Sequence, residues 1–154
     1  MRSTPIVLND LLLLACVSMY FGTGWSLVLF SFPIRPRLTT DTYYDQFVPQ
    51  VTLATKFFTW MTMVMIATSI VMLVSEWHHK WWAPTIVLAG ILLATGLTVR
   101  FILPLNKIMA AGITDPALLD STLRRWMTLN RIRVGLWTVQ WLAMAAYFGL
   151  ALGD

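Results

Sequence analysis

A single cysteine, Cys16, and two neighbouring histidines, His78 and His79, are the chain's whole supply of thiolate and imidazole metal ligands. One cysteine cannot form an intramolecular disulfide or a thiolate cluster, and adjacent histidines do not converge on one ion. The sequence therefore predicts no metal site and no cofactor. Acids are also scarce, with seven Asp and Glu in 154 residues. The apolar stretches hold no paired carboxylates and no Ser–His–Asp set, so the usual hydrolytic machinery is absent. There is no Gly-rich phosphate loop and no basic tail, which argues against nucleotide or nucleic-acid partners. Charged residues make up 12% of the chain, whereas a soluble domain carries about 25%.

Hydrophobic residues are in excess, at 58%. They gather in four blocks without a charge, at 11–32, 57–75, 81–99 and 134–153. Each block can cross the bilayer core, which takes about 20 residues as a helix. In lipid every backbone polar group must bond within its own segment, so helices are the expected element. The first block is too long for the core of a cleaved signal and ends in "FSFPIRPR", so it is read as a membrane helix. The expected fold is all-α: a polytopic membrane four-helix bundle of two helical hairpins with short loops. It forms one transmembrane domain over 1–154, with helices near 6–32, 47–75, 81–103 and 122–152. Asp115 before Pro116 reads as a helix cap, giving the last helix an interfacial start over 116–131.

Lys and Arg are divided unequally between the two faces. Arg35, Arg37, Lys56, Arg100, Lys107 and the arginines at 124, 125, 131 and 133 fall on the side of loops one and three. Only Arg2 and Lys80 fall on the other. The positive-inside rule puts loops one and three in the cytoplasm and both termini outside, with Trp77, Trp81 and Trp82 as an outer aromatic belt. A faint repeat links "FSFPIR" at the end of the first helix with "FILPLN" at the end of the third. It suggests two hairpins in the same orientation.

Helical spacing then sorts the polar residues. Trp126, Asn130, Arg133, Trp137, Gln140, Met144 and Tyr147 recur at steps of three and four and share one face of the last helix. Gln140 lies deep in the charge-free block, where an unpaired amide costs several kcal/mol. Thr52, Thr55, Lys56, Thr59 and Thr62 form a stripe on the second helix, and Thr95, Thr98 and Asn106 follow on the third. Ser18, Gly22 and Ser26 on the first helix have the small-residue spacing of close helix packing. If the stripes converge, they build a polar, cationic pocket of Lys56, Arg100, Asn106, Asn130 and Arg133. Tyr43, Tyr44, Trp126 and Trp137 would be its aromatic walls. Such a pocket suits a flat lipophilic ligand with an anionic or carbonyl-bearing end.

Each of these residues also has a plainer reading. The arginines and Lys56 can snorkel to headgroups, the threonines can join helices, and Asn106 can cap a turn. Asp10 and Asn9 read as headgroup-level residues. Any chemistry would fall to Arg133, Asn130 and Lys56, with Asn106, Trp126, Trp137, Gln140, Arg100 and Tyr43 binding the ligand.

"FILPLNKIM" and, further on, "RRWMTLNRIRVG" give the sequence its family likeness. They resemble the signature of the anthrone-oxygenase-like family of small membrane proteins. In that family a helix ends in a proline–x–asparagine turn, and a Trp-x-x-x-Asn/His-x-x-Arg stretch opens the last helix. The matching residues are Pro104, Asn106, Trp126, Asn130 and Arg133, and the four-helix layout covers essentially the whole chain. The resemblance implies a four-helix integral membrane fold, in bacteria in the inner cell membrane. For some fungal members it implies oxidation of an anthrone to an anthraquinone by dioxygen. Asparagine at position 130, rather than histidine, removes one proton acceptor from any acid–base scheme.

The first functional expectation is thus an oxygenase-like enzyme acting on a lipophilic phenolic or quinone-like molecule. The alternative is a non-catalytic subunit that packs against a neighbouring membrane protein or binds lipid. A transporter ranks last, because no inward acid or broken helix marks a path.

Overall fold

The computed structural model describes residues 3–77 and 80–152; Arg2, His78 and His79 lie outside them. Five α-helical segments form four rods: α1 (Thr4–Ser26), α2 (Tyr43–Ser75), α3 (Trp82–Leu97) with α4 (Leu103–Ala110), and α5 (Pro116–Leu152). No strand occurs among the described residues, and the fold is an all-α bundle. The stretches Thr4–Arg37, Tyr43–Ser75 and Trp82–Ala110 are long and apolar enough to cross a bilayer. Large apolar side chains such as Phe30, Leu53, Trp60 and Val74 point outward. Water would penalise that surface and lipid does not. The molecule is a helical membrane protein.

The rods form a ring in which α1 packs on α2 and α5, and α3 packs on α2 and α5. Two apolar clusters fill it. One holds Leu13, Tyr20, Met65, Val87, Trp137 and Tyr147. The other lies toward loops one and three and holds Phe32, Tyr43, Ile102, Met109, Leu123 and Trp126.

The helix ends differ from the sequence expectation in two places. The second helix starts at Tyr43, not 47, because the Thr39–Thr42 turn is already closed. The Thr42 and Tyr43 amides donate to Thr39 O, and the Thr39 amide donates to Thr42 Oγ1. The third rod does not stop at Pro104 but runs on through α4. Pro104 sits in the first turn of α4, where its missing N–H costs little. Gly112, at φ 89°, then ends the rod in the left-handed region that favours glycine. The last helix begins at Pro116 with its first turn capped, as the Ala117 amide donates to Asp115 Oδ1 at 3.0 Å.

Both rods that end near a proline carry a five-residue π-turn, Leu27–Ser31 and Thr98–Ile102. Each ends two residues before its proline, Pro33 or Pro104. A proline ring clashes with the carbonyl four residues back, and a widened turn relieves that clash. The "FSFPIR" and "FILPLN" segments therefore share a backbone device as well as a few letters.

Two polar contacts tie the ends of the bundle on the loop-one side. Arg35 at the end of the first rod and Arg124 both donate to Asp120 on α5, with Arg124 Nε 2.7 Å from Oδ2. Tyr43 latches the start of α2 to the end of the third rod. Its hydroxyl donates to Met109 O at 3.1 Å and accepts from the Ile113 amide at 2.5 Å. At the other end, Asp10 is buried (1% exposed) and accepts from the Tyr147 hydroxyl at 3.2 Å. The Ser18–Gly22–Ser26 stripe is not an internal contact. Gly22 and Ser26 are exposed, and a Cβ on Gly22 would meet nothing within 4 Å.

Two predictions follow from these ties. Tyr43→Phe keeps the ring but strips the Ile113 amide of its partner and leaves Met109 O with the Gly112 amide alone. The loss should be about 1–3 kcal/mol, read as a lower thermal midpoint in detergent; an unchanged midpoint would rule out the latch. The hydrogen bonds from Arg35 and Arg124 hold the Asp120 carboxyl below its ordinary range near 3.8. A carboxyl depressed by folding adds stability above its unfolded pKa and loses it as pH falls through the folded one. Wild type should therefore lose thermal stability as pH drops below about 4, and Asp120→Asn should flatten that limb.

Candidate functional site

The long face of α5 decides what the bundle encloses. Trp126, Asn130, Arg133, Trp137 and Gln140 all turn inward. Between the two apolar clusters they meet α1, α2 and α3 around a cavity of about 560 Å³. Met63 on α2 (63% exposed) and Val99 after α3 (60% exposed) also line it and mark an opening between those rods. Both π-turns contribute to the lining, through Leu27 and Ser31 on one side and Thr98, Val99 and Ile102 on the other.

Among the described residues Arg133 is the only charged one in the lining, and none of their acids faces it there. Its guanidinium is held by neutral groups. Nη2 donates to Asn130 Oδ1 at 2.5 Å, Nη1 donates to Thr98 Oγ1 at 3.3 Å, and the plane sits 4.6 Å from the centre of the Trp137 ring. Nε is buried and has no partner. Asn130 is fully buried (0% exposed) and in turn donates from Nδ2 to Trp126 O at 2.8 Å. The Trp126 indole donates to Asn106 Oδ1 at 2.8 Å. A continuous polar chain thus runs Asn106–Trp126–Asn130–Arg133–Thr98 and links α4, α5 and the second π-turn.

The walls are aromatic. Tyr20 lies 4.7 Å from Phe58 and 4.7 Å edge-on to Trp137, and Phe47 lies 4.7 Å from Trp126. The Tyr20 hydroxyl donates to Phe58 O at 2.8 Å and lies 2.7 Å from Thr62 Oγ1. Of the threonines on α2, Thr62 joins α1 through the Tyr20 hydroxyl. Thr55, Thr59 and Thr62 each donate to the carbonyl four residues back on their own helix. Their oxygen lone pairs remain as acceptors on the cavity wall.

Of the nine residues singled out from sequence, six gather here. Asn106, Trp126, Arg133, Trp137 and Gln140 line the cavity, and Asn130 backs Arg133 from behind. Lys56, Arg100 and Tyr43 do not line it. Lys56 follows Thr55 by one residue, about 100° around a helix, and is exposed. Arg100 lies within the π-turn, which shifts the helical phase, and is also exposed. Tyr43 is spent on its latch. Three wall residues went unnoticed: Tyr20, Phe47 and Phe58. Tyr20 carried a usable signal, since a phenol in a charge-free membrane stretch must find a partner. The phenylalanines carried none.

No protein-family model matches this chain, and neither does any curated protein or any solved structure.

Glycine permits the closest approach at the cavity wall. A Cβ on Gly24 would lie 2.7 Å from Trp137 Cε3 and 2.9 Å from Val134 Cγ2. Gly24→Ala must therefore push the indole. It should cost about 1–3 kcal/mol of stability, seen as a lower thermal midpoint. An unperturbed midpoint would mean that α1 and α5 are not in this contact.

Proposed function

We propose that this chain is a small integral membrane protein that takes a lipophilic phenolic or quinone-like molecule into the cavity between its helices. The observation that carries the reading is Arg133, a cation on the wall of a largely apolar cavity with no acid in the lining. Such a group favours a ligand that brings its own negative or strongly polar oxygen. Aromatic walls accept a flat ring system, and an opening between two apolar rods suits a molecule that partitions into acyl chains.

The same arrangement fits a cofactor-free oxygenase, the activity suggested by the resemblance at Pro104, Asn106, Trp126, Asn130 and Arg133. The electron-rich form of an anthrone is its enolate, and a fixed guanidinium lowers the energy of that anion. Oxidation by dioxygen then places one oxygen atom on the ring carbon. The two hydrogens of that carbon leave with the second oxygen atom as water. Among the described residues no carboxylate lines the cavity, and in this scheme Arg133 promotes the proton loss by stabilising the anion. Lys56 and Arg100 have no part in this scheme; Asn130 and Asn106 serve as positioning residues. The distribution of Lys and Arg supports a cell-membrane orientation with loops one and three in the cytoplasm and both termini outside.

A second reading, a non-catalytic subunit packed against another membrane protein, draws on the outward Gly22 and Ser26 on α1. Their smooth face admits a close neighbouring helix.

The test is binding of a hydroxyanthrone to the full chain in lipid nanodiscs, followed by tryptophan quenching, with quinone formation in air followed by absorbance. Arg133→Met should fold, because it removes a charge that lacks an ionic partner. It should weaken binding by about 10- to 100-fold, as expected for a hydrogen bond to a charged group, and abolish turnover. Equal binding by the variant would remove Arg133 from the site. Binding without any turnover in wild type would favour the non-catalytic reading.

A further inference from the structure

The cavity has a second polar pole. Gln140 lines it, is 1% exposed, and makes no hydrogen bond to any described residue, with its amide nitrogen fully enclosed and unpartnered. A buried amide without a partner is costly, more so in a bilayer than at an aqueous surface. The side chain is also firmly seated. It rests on Gly90, where a Cβ would come within 2.6 Å of Nε2 and 2.7 Å of Cγ. Of the residues near that seat, Ile91 and Ala94 line the cavity and are apolar. The Tyr20 hydroxyl already serves Phe58 and Thr62.

Gln140 and Arg133 are seven residues apart on one face of α5, so the two poles lie roughly 10 Å apart along the helix axis. The indole of Trp137 and the ring of Tyr20 stand in the cavity wall with them. The poles differ in chemistry. The guanidinium favours an anionic oxygen, while the amide is neutral and can both donate and accept. It therefore suits a carbonyl or an un-ionised hydroxyl.

We infer that Gln140 is a specificity-determining residue that pairs with a second, neutral oxygen on the ligand. The cavity thus selects flat molecules oxygenated at both ends over those oxygenated at one. The inference rests on the ligand-binding reading of the cavity and narrows its substrate class to bis-oxygenated ring systems.

The test uses the full chain in nanodiscs and two probes that differ only in the far oxygen: 2-hydroxynaphthalene and 2,6-dihydroxynaphthalene. The symmetric diol has an about twofold statistical advantage in every variant, which cancels when variants are compared. Beyond it, wild type should bind the diol roughly 3- to 10-fold more tightly, as expected for one neutral hydrogen bond. Gln140→Met keeps the length and should erase that preference by weakening the diol more than 2-hydroxynaphthalene. Gly90→Ala displaces the amide without replacing it and should erase the preference as well, so the test survives if one variant fails to fold. A diol preference that persists in the variants overturns the inference. So does an equal weakening of both probes, which would make Gln140 a packing residue. If wild type binds both probes alike, beyond the statistical factor, Gln140 has no selective role and the cavity reading stands. If wild type binds neither, the cavity reading itself fails and the inference falls with it.

Discussion

The arrangement of the bundle turns on one charge brought inside it without an opposite charge. Arg133 has Asn130, Thr98 and the Trp137 face for company, and none of these is ionised. Moving a cation out of water is costly, and neutral hydrogen bonds recover only part of that cost. The surroundings are accordingly rigid. Asn130 is fixed by a backbone carbonyl of its own helix, and Trp126 is fixed by Asn106 on the neighbouring rod. A guanidinium held in this way keeps its direction and its unmet demand for an anion. Preorganisation of this kind separates a binding group from a charge that merely snorkels.

Space for a ligand comes from the backbone as much as from side chains. Two rods reach the loop-one side through a π-turn followed by a proline, and residues of both π-turns line the cavity. Widened turns interrupt regular ridge-and-groove packing and so leave room between helices. Below them the Tyr43 latch and the Arg35–Asp120–Arg124 cluster hold the ends of the rods together. The cavity is thus bounded by packed clusters on both sides, which makes it a feature of the fold and not a loose end.

Much of this was legible in the amino-acid order. The face Trp126–Asn130–Arg133–Trp137–Gln140 is a property of helical spacing, and it survives folding because α5 is one uninterrupted helix. The same reasoning failed where the helix is irregular or the stripe was drawn too wide. Arg100 was added to the pocket without a place on any stripe, and it lies in a turn that is not α-helical. Lys56 was grouped with its neighbour Thr55, which lines the cavity and lies about 100° away on the helix. Tyr43 read as an aromatic wall because its polar end had no visible partner in sequence; that partner lies 66 residues on, at Met109. Asp10 looked superficial for the same reason, since Tyr147 stands at the opposite end of the chain.

By itself, then, the sequence determined the class of fold. Charge-free blocks of membrane length can satisfy their backbones in lipid only as helices. It also determined which face of the last helix turns inward, because exposing a glutamine to hydrocarbon is too costly. Only the tertiary structure decided which residues from the other three rods meet that face. Tyr20, Phe47, Phe58 and Gly90 acquire their roles from helix rotation, from two π-turns and from the distance at which rods pack. Those quantities depend on contacts between segments far apart in the chain, which periodicity along one segment cannot express.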